Sequence, residues 1–546
     1  MKRKVSKKQV AFILVAVCLV GLIGIGISYS YYLANIRTSN EENKNSDISS
    51  ATITQVVMDM QGKVTSDGAY PGHKVVKEVI VRGIGNDDAT PANAAILVTP
   101  DLGEFANDVT WKLYKSEEAI TCSSTVHTEG EQFYEEATCN IPDSATLELE
   151  GSSGFGYKNI VVNPNTETKY YLVVEYANKE NQNNQIGKSF NIDIGLGEKL
   201  ELPSKVSDRI AFLSKYDTET MTGDDPSNNI RYIGKNPDNY VYFNCSDYAN
   251  QTADTCEKWR VIGLFNDVVK GDGSKENLVK IIRDDSLGNY EWDKKGNGVG
   301  TSTSSYGSND WTDSQLMMML NPIDYLKSGY TNSNGIILDG NGQEIYSKMG
   351  AYYYGIKGCL PAGIAKGSTF TCSEVDFTTT GLKNDATRNV IEEVIWNLGG
   401  GEYRSATPNT LYTLEKGAEV FEGHATIWKG KIGLMYASDY GYATSGSSKE
   451  SRIECLNQKL SNFDYCRGSS YCIKNDYLYK YGFYQWILAP AVNSDNFVYR
   501  VYSDGTISSY AAPSEGIVRP ALFLKSSITI KDGNGSLEEP YQLNLS

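Results

Sequence analysis

The sequence is short of positive charge, of histidine and of long apolar runs. Across 546 residues there are 51 Lys and Arg against 67 Asp and Glu, a formal net charge of −16. Five of the bases (Lys2, Arg3, Lys4, Lys7, Lys8) lie in the first eight residues, which leaves 46 bases against 67 acids for everything after them. A body that acidic has no electrostatic footprint for nucleic acid or for an anionic membrane surface, so both are excluded as its partners. The three histidines (His73, His127, His424) are far apart, and no two cysteines form a C-x-x-C pair. That leaves no zinc pattern. No hydrophobic run closes the chain at Tyr541–Ser546, so any anchor is expected at the N-terminus.

What is present begins there. Val10 to Ile27 is an uncharged run of 18 residues, preceded by the basic cluster and followed by Tyr29, Tyr31 and Tyr32. Its length sits at the lower edge of a bilayer span, and the tyrosines extend it as an interfacial belt. The expectation is a single-pass helix over residues 9–34, with residues 1–8 cytoplasmic and the body outside. The competing reading is a cleaved signal peptide, because Ser28 and Ser30 stand at the two positions a signal peptidase reads; the body is then secreted. Either way the chain is expected to be exported.

Cysteine usage points the same way. Nine cysteines follow the apolar run, in close pairs: Cys122 with Cys139, Cys245 with Cys256, Cys359 with Cys372, then the trio Cys455, Cys466 and Cys472. In an oxidising compartment that spacing predicts short disulfide loops.

Along the chain, residues 35–54 have the polar composition of a flexible stalk. Residues 55–195 alternate short β-branched and aromatic runs, such as Val75–Val81, Val109–Tyr114 and Tyr170–Tyr176, with turn clusters, which predicts a β-sandwich. Its closing segment, Asn181 to Phe190, resembles the camelysin-type matrix-fibre sandwiches of Gram-positive bacteria. Residues 196–229 read as a linker. The region 230–530 reads as α+β: strands at Tyr240–Phe243, Trp259–Phe265 and Leu278–Ile282, a Met-rich helix opening with the capping box Thr312–Gln315, and a second helix from Asp385 to Gly399. The Met317–Met319 block reads as a buried helix face rather than a soft-metal site. Residues 531–546 form a tail. The loops at Asp532 and Asp339 begin like EF-hands, but their twelfth positions are Leu543 and Gly350, so both read as turns. No metal or cofactor is expected.

The most informative stretch is Phe483 to Leu524. It contains Trp486–Pro490, an Asp504-Gly505 turn between two strand-like runs, and Val518-Arg519-Pro520-Ala521-Leu522. With Trp259–Gly263 and Ile432–Tyr440 upstream, this resembles a domain of exported Gram-positive bacterial proteins related to the formylglycine-generating-enzyme and C-type-lectin-like folds. The resemblance implies a C-type-lectin-like α+β head that displays a binding surface, and it implies pairing of Cys455 with Cys472. The same fold family includes a two-cysteine oxidase. Here no cysteine follows Cys472, so oxidase activity is not expected. Candidate glycosidase carboxylates (Asp439 beside Ser438, Glu392 and Glu393) form no opposed pair that an acidic chain would not offer by chance, and His424 reads as a loop residue.

Between Tyr484 and Gly516 the composition is a Tyr, Ser, Asn and Gly mixture, the chemistry of a paratope. Strand alternation places Phe497, Tyr499 and Val501 on one side and Val498, Arg500 and Tyr502 on the other. The expectation is that Tyr484, Arg500, Tyr502 and Tyr510 face outward and bind an extracellular glycan or protein, while Arg519 forms a buried ion pair. The overall expectation is a non-enzymatic surface recognition or adhesion protein; the alternative is a structural surface or matrix component without a specific ligand.

Overall fold

In a computed structural model, residues 54–60, 64–65, 69–129, 132–179, 182, 185, 188–293, 307–321, 357–360, 373–376, 381–464 and 470–545 are described. The chain divides into two compact units, Met1–Glu201 and Leu202–Ser546. It is mostly β, 42% strand against 14% helix.

The first unit stacks two antiparallel sheets. One has five strands in the order Gln55–Met60, Lys74–Ile84, Glu167–Tyr176, Val109–Lys115 and Thr146–Gly151. The other has four, in the order Val64–Thr65, Asn191–Glu198, Ala92–Asp101 and Gly156–Val162. Alternate residues of both sheets (Val79, Val81, Leu113, Leu172 and Val174 against Ala94, Ile96, Val98, Ile192 and Ile194) share one core, as period-two side-chain alternation requires. Trp111 anchors it, donating from Nε1 to the Ser152 carbonyl at 2.9 Å. Gly151 and Gly156 pass so close that a Cβ would lie 2.5 and 2.2 Å from the indole, so only glycine fits beside it. A separate hairpin, Thr121–Glu129 with Gln132–Asn140, carries Cys122 and Cys139 at directly opposed positions.

The second unit is built on a seven-stranded antiparallel sheet whose long central members are Glu257–Val269 and Lys275–Arg283, with Ala521–Leu524 beside the latter. A five-stranded sheet holds Gln485–Pro490, Phe497–Val501 and Ile507–Ala511 as successive antiparallel neighbours. One core runs between them and contains Trp259, Trp292, Trp311, Trp396 and Trp486. Residues 202–229 belong to this unit: the helix Val206–Leu213 buries Val206 and Ile210 in the same core.

The α+β, C-type-lectin-like class expected for 230–530 is overturned. Among the described residues the longest helix of this region is Lys449–Asn457, nine residues. The Met-rich helix is only Gln315–Leu320. The expected helix 385–399 stops at Asn389, and Val394–Asn397 pairs as a strand with Ile427–Gly430. The β-branched Val390, Ile391, Val394 and Ile395 lose rotamer freedom in a helix and fit a pleated surface, which outweighs the apolar spacing. Among the described residues no helix is long and apolar enough to cross a membrane; the segment 9–34 lies outside the described residues.

Among the described residues three disulfides are formed: Cys122–Cys139, Cys245–Cys256 and Cys455–Cys472. Cys372, Cys466 and the side chain of Cys359 lie outside the described residues. Cys455 and Cys472 are fully buried, whereas Cys122 and Cys139 are half-exposed on their hairpin. Since thiol exchange needs access to the sulfur, a mild reductant applied to the folded protein should open Cys122–Cys139 first and Cys455–Cys472 last. Alkylation and peptide mass spectrometry read the order; early alkylation of Cys455 would contradict it.

Candidate functional site

The four residues proposed for ligand binding do come together, but not as alternation predicted. In the five-stranded sheet Trp486 pairs with Arg500, Arg500 with Ser508 and Val498 with Tyr510. The turn is closed by Gly505 N–H donating to the Tyr502 carbonyl at 2.8 Å and by Asp504 Oδ1 accepting from Thr506 N–H at 3.0 Å. Gly505 sits at φ +92°, where a side chain would also strike Ile473. Phe497–Val501 is an interior strand covered on both faces. Val498 is in the core, and the Tyr499 ring packs tilted against Tyr403 with centroids 4.4 Å apart.

Arg500 is therefore not displayed; it is 5% exposed. Its guanidinium lies 4.0 Å from the Tyr510 ring, 4.3 Å from Tyr484, 4.9 Å from Tyr502 and 5.6 Å from Trp486. Nη1 donates to the Glu515 carbonyl at 3.0 Å. The outward assignment of Arg500 is corrected: it is a cationic post against which aromatic faces stack, an arrangement that strengthens as the charge is desolvated. Tyr484 and Tyr510 remain 42% and 44% exposed, and Phe483 and Tyr481 beside them are also exposed. Tyr502 is half-buried, its ring edge-on to Tyr484 at 5.3 Å. The result is a stiff aromatic surface. Arg519 is fully buried and donates to the carbonyls of Arg283 and Leu478, with Asp284 at 3.9 Å.

A second site lies around Asp439 and Ser438, which the sequence marked only as a carboxylate without an opposed partner. A cavity of about 270 Å³ opens where Glu257–Val269, Lys275–Arg283, Val394–Asn397 and the helices Pro408–Glu415 and Ala437–Ala443 converge. At its base Lys280 Nζ donates to Asp439 Oδ2 at 2.5 Å with both side chains fully buried. Arg231 Nη1 bonds Asp439 Oδ1 at 2.8 Å, and Arg231 Nε bonds Asp225 Oδ2 at 2.7 Å. Asp439 also caps its own helix by accepting from Tyr436 N–H at 2.9 Å. Burial acts to raise the Asp439 carboxyl, but Lys280 and Arg231 outweigh it and hold it below its usual value. Burial drives the Lys280 ammonium down, against the pull of Asp439. Beside them Glu415 accepts from Ser438 N–H at 2.8 Å and from the Ser438 hydroxyl, and burial pushes its carboxyl up to about 8.

Asp439 is thus locked between two cations rather than opposed to a second free carboxylate. Glu393 pairs with Lys429 at 2.9 Å and Glu392 approaches Lys270 at 3.8 Å. Among the described residues no group of His, Cys, Asp and Glu is placed to hold a metal ion. Lys280 was visible in principle: a lysine inside Leu278-Val279-Lys280-Ile281-Ile282 carries the same signal as Arg519, a charge in an apolar strand. Arg231 and Glu415 carry no such mark, since neither stands inside a continuous apolar run of the sequence.

No family model matches the sequence, and no curated protein matches it. Among solved structures the botulinum neurotoxin serotype C1 binding domain is a neighbour at 9% identity, covering 46% of this chain and 72% of that one, with a TM-score of 0.12. No argument about fold or function rests on so low a score.

The raised Glu415 carboxyl makes a pH prediction. The folded chain keeps a proton that the unfolded chain releases above about 4.5, so this contribution to stability is complete below 4.5 and is lost as pH rises toward about 8. Asp238, raised to about 6 by burial, adds the same trend at lower pH. Melting temperature should therefore fall between about pH 6.5 and pH 8, and Glu415→Gln should flatten that fall. An unchanged slope in the variant would place the titration elsewhere.

Proposed function

We propose that this is an exported, non-enzymatic recognition protein whose second unit binds an extracellular glycan or protein through the tyrosine face around Arg500. The observation that carries the reading is the convergence of Tyr484, Tyr502 and Tyr510 on one buried guanidinium, with two of the rings left open to solvent. Tyrosine offers large contact area with few rotors to immobilise, and rings already held in place lose less freedom on binding. Ser508, Ser509 and Ser514 lie on or beside the same strand and supply adaptable hydroxyls. The three disulfides suit an oxidising compartment. Residues 9–34 would tether the chain to a bacterial membrane, or be removed on secretion.

The test uses the full chain on glycan and protein arrays, followed by variants against the ligand found. Tyr484→Ala with Tyr510→Ala should weaken binding at least about tenfold, the loss of a central aromatic contact, with melting almost unchanged. Arg500→Ala should weaken binding and also cost about 2 kcal/mol of stability, since it removes a buried post and its packing. Full affinity in the double tyrosine variant would remove the site from this face.

A further inference from the structure

The cavity above the Lys280–Asp439 pair shares no lining residue with the tyrosine face and is a site in its own right. Its chemistry is defined by what is already satisfied and what is not. The two buried cations, Arg231 and Lys280, are matched by two buried carboxylates, Asp225 and Asp439. At the exposed margin Lys416 Nζ donates to the Ser227 and Tyr412 hydroxyls at 3.1 and 2.6 Å, and Asp267 stands on the same rim with the opposite charge. A ligand anion entering here would meet the carboxylates, and a ligand cation would meet the ammonium and guanidinium groups, without an uncompensated charge to receive either.

Hydrogen-bonding capacity, by contrast, is left over in both senses. Arg231 Nη2 is buried with no hydrogen-bond partner among the described residues. Such an orphan donor is costly unless something else satisfies it. Asn397 uses its backbone N–H and C=O on the Tyr436 hydroxyl, and its carboxamide has no protein partner among the described residues. Asp267 is exposed on the rim, where its carboxylate can accept from a ligand, and its backbone N–H donates to Asn277 Oδ1 at 3.1 Å.

Asp267 sits at φ +53°, in the left-handed region, within an irregularity that interrupts the pairing of the two central strands between Phe265 and Val268. A non-glycine residue held there stores strain, and bulges of this kind re-aim side chains next to sites. The walls are aromatic: Lys280 Nζ lies 4.3 Å from the Tyr436 ring and 5.2 Å from Trp396. At about 270 Å³ the space is near the lower end of small-molecule pockets.

We propose that this cavity binds one neutral, polyhydroxylated ring the size of a single hexose. Hydroxyl groups donate and accept at once, which suits the orphan Arg231 Nη2 and the Asn397 carboxamide together, with the Asp267 carboxylate at the rim as a further acceptor. The C–H face of such a ring packs on aromatic walls without bringing in charge.

The experiment is saturation-transfer NMR on the full chain with D-glucose, D-galactose, D-mannose and N-acetyl-D-glucosamine at millimolar concentration, with acetate and methylammonium as charged competitors of similar reach. At least one sugar should receive transfer and should not be displaced by either ion. Val268→Trp should abolish the signal by filling the cavity. Asn397→Ala, which leaves the fold's backbone bonds in place, should weaken affinity about tenfold, the scale of one or two hydrogen bonds. Absence of transfer to every sugar would overturn the proposal. So would displacement by either ion, binding that survives both variants, or binding lost in Tyr484→Ala instead.

Discussion

The second unit depends on one buried constellation, the carboxylate of Asp439 held between Lys280 and Arg231. These groups come from the central strand Lys275–Arg283, the short strand Ile230–Tyr232 on the far side of Glu257–Val269, and a helix, and the bonds span 159 and 208 positions of sequence. Removing charges from water costs several kcal/mol per ion unless geometry and further hydrogen bonds compensate. Here Asp225 and Tyr436 N–H supply that compensation. Hydrophobic burial alone would tolerate sliding of the helix Ala437–Ala443 over the sheet; a directional three-way ion pair tolerates much less. The helix in turn positions Ser438 for Glu415 and brings the Tyr440 hydroxyl to the Gly505 carbonyl at 2.8 Å. Through that last bond the charge cluster also supports the turn that carries the tyrosine face.

The tyrosine face repeats the device on a smaller scale. A cation is taken out of water, and aromatic rings rather than carboxylates surround it. The choice matters for function. Carboxylates would neutralise the guanidinium and leave a polar surface, whereas rings stacked on it turn their other faces and edges outward. The same physical arrangement therefore gives rigidity within the fold and apolar contact area at its margin.

Local features were legible in the sequence because local chemistry determines them. Cys122, Cys139, Cys245 and Cys256 pair across short loops, and Asp504-Gly505 turns where an αL position is needed. Short apolar runs such as Tyr240–Phe243 and Leu278–Ile282 fall in strands. Errors arose where tertiary context decides. The stripe Val390 to Leu398 satisfied a helical spacing but is equally a β-branched run, and a partner strand at Ile427–Gly430 settled the matter. Arg500 was assigned to solvent because alternation presumes one wet face, and this strand has none. Arg231, Glu415 and the cavity had no local signature, since what defines them is burial by the assembled fold and, for Arg231, a carboxylate 208 positions away.

The most direct test of this account is a double-mutant cycle on Lys280→Met and Asp439→Asn, read by denaturant unfolding. Asp439→Asn leaves the buried Lys280 ammonium without its carboxylate, and Lys280→Met leaves Asp439 with Arg231 alone; each should cost about 3–5 kcal/mol. The double variant should be destabilised by less than the sum of the two, with a coupling of about 1–3 kcal/mol. Additivity within about 0.5 kcal/mol would show that the two groups act independently and that the unit is held by its apolar core alone.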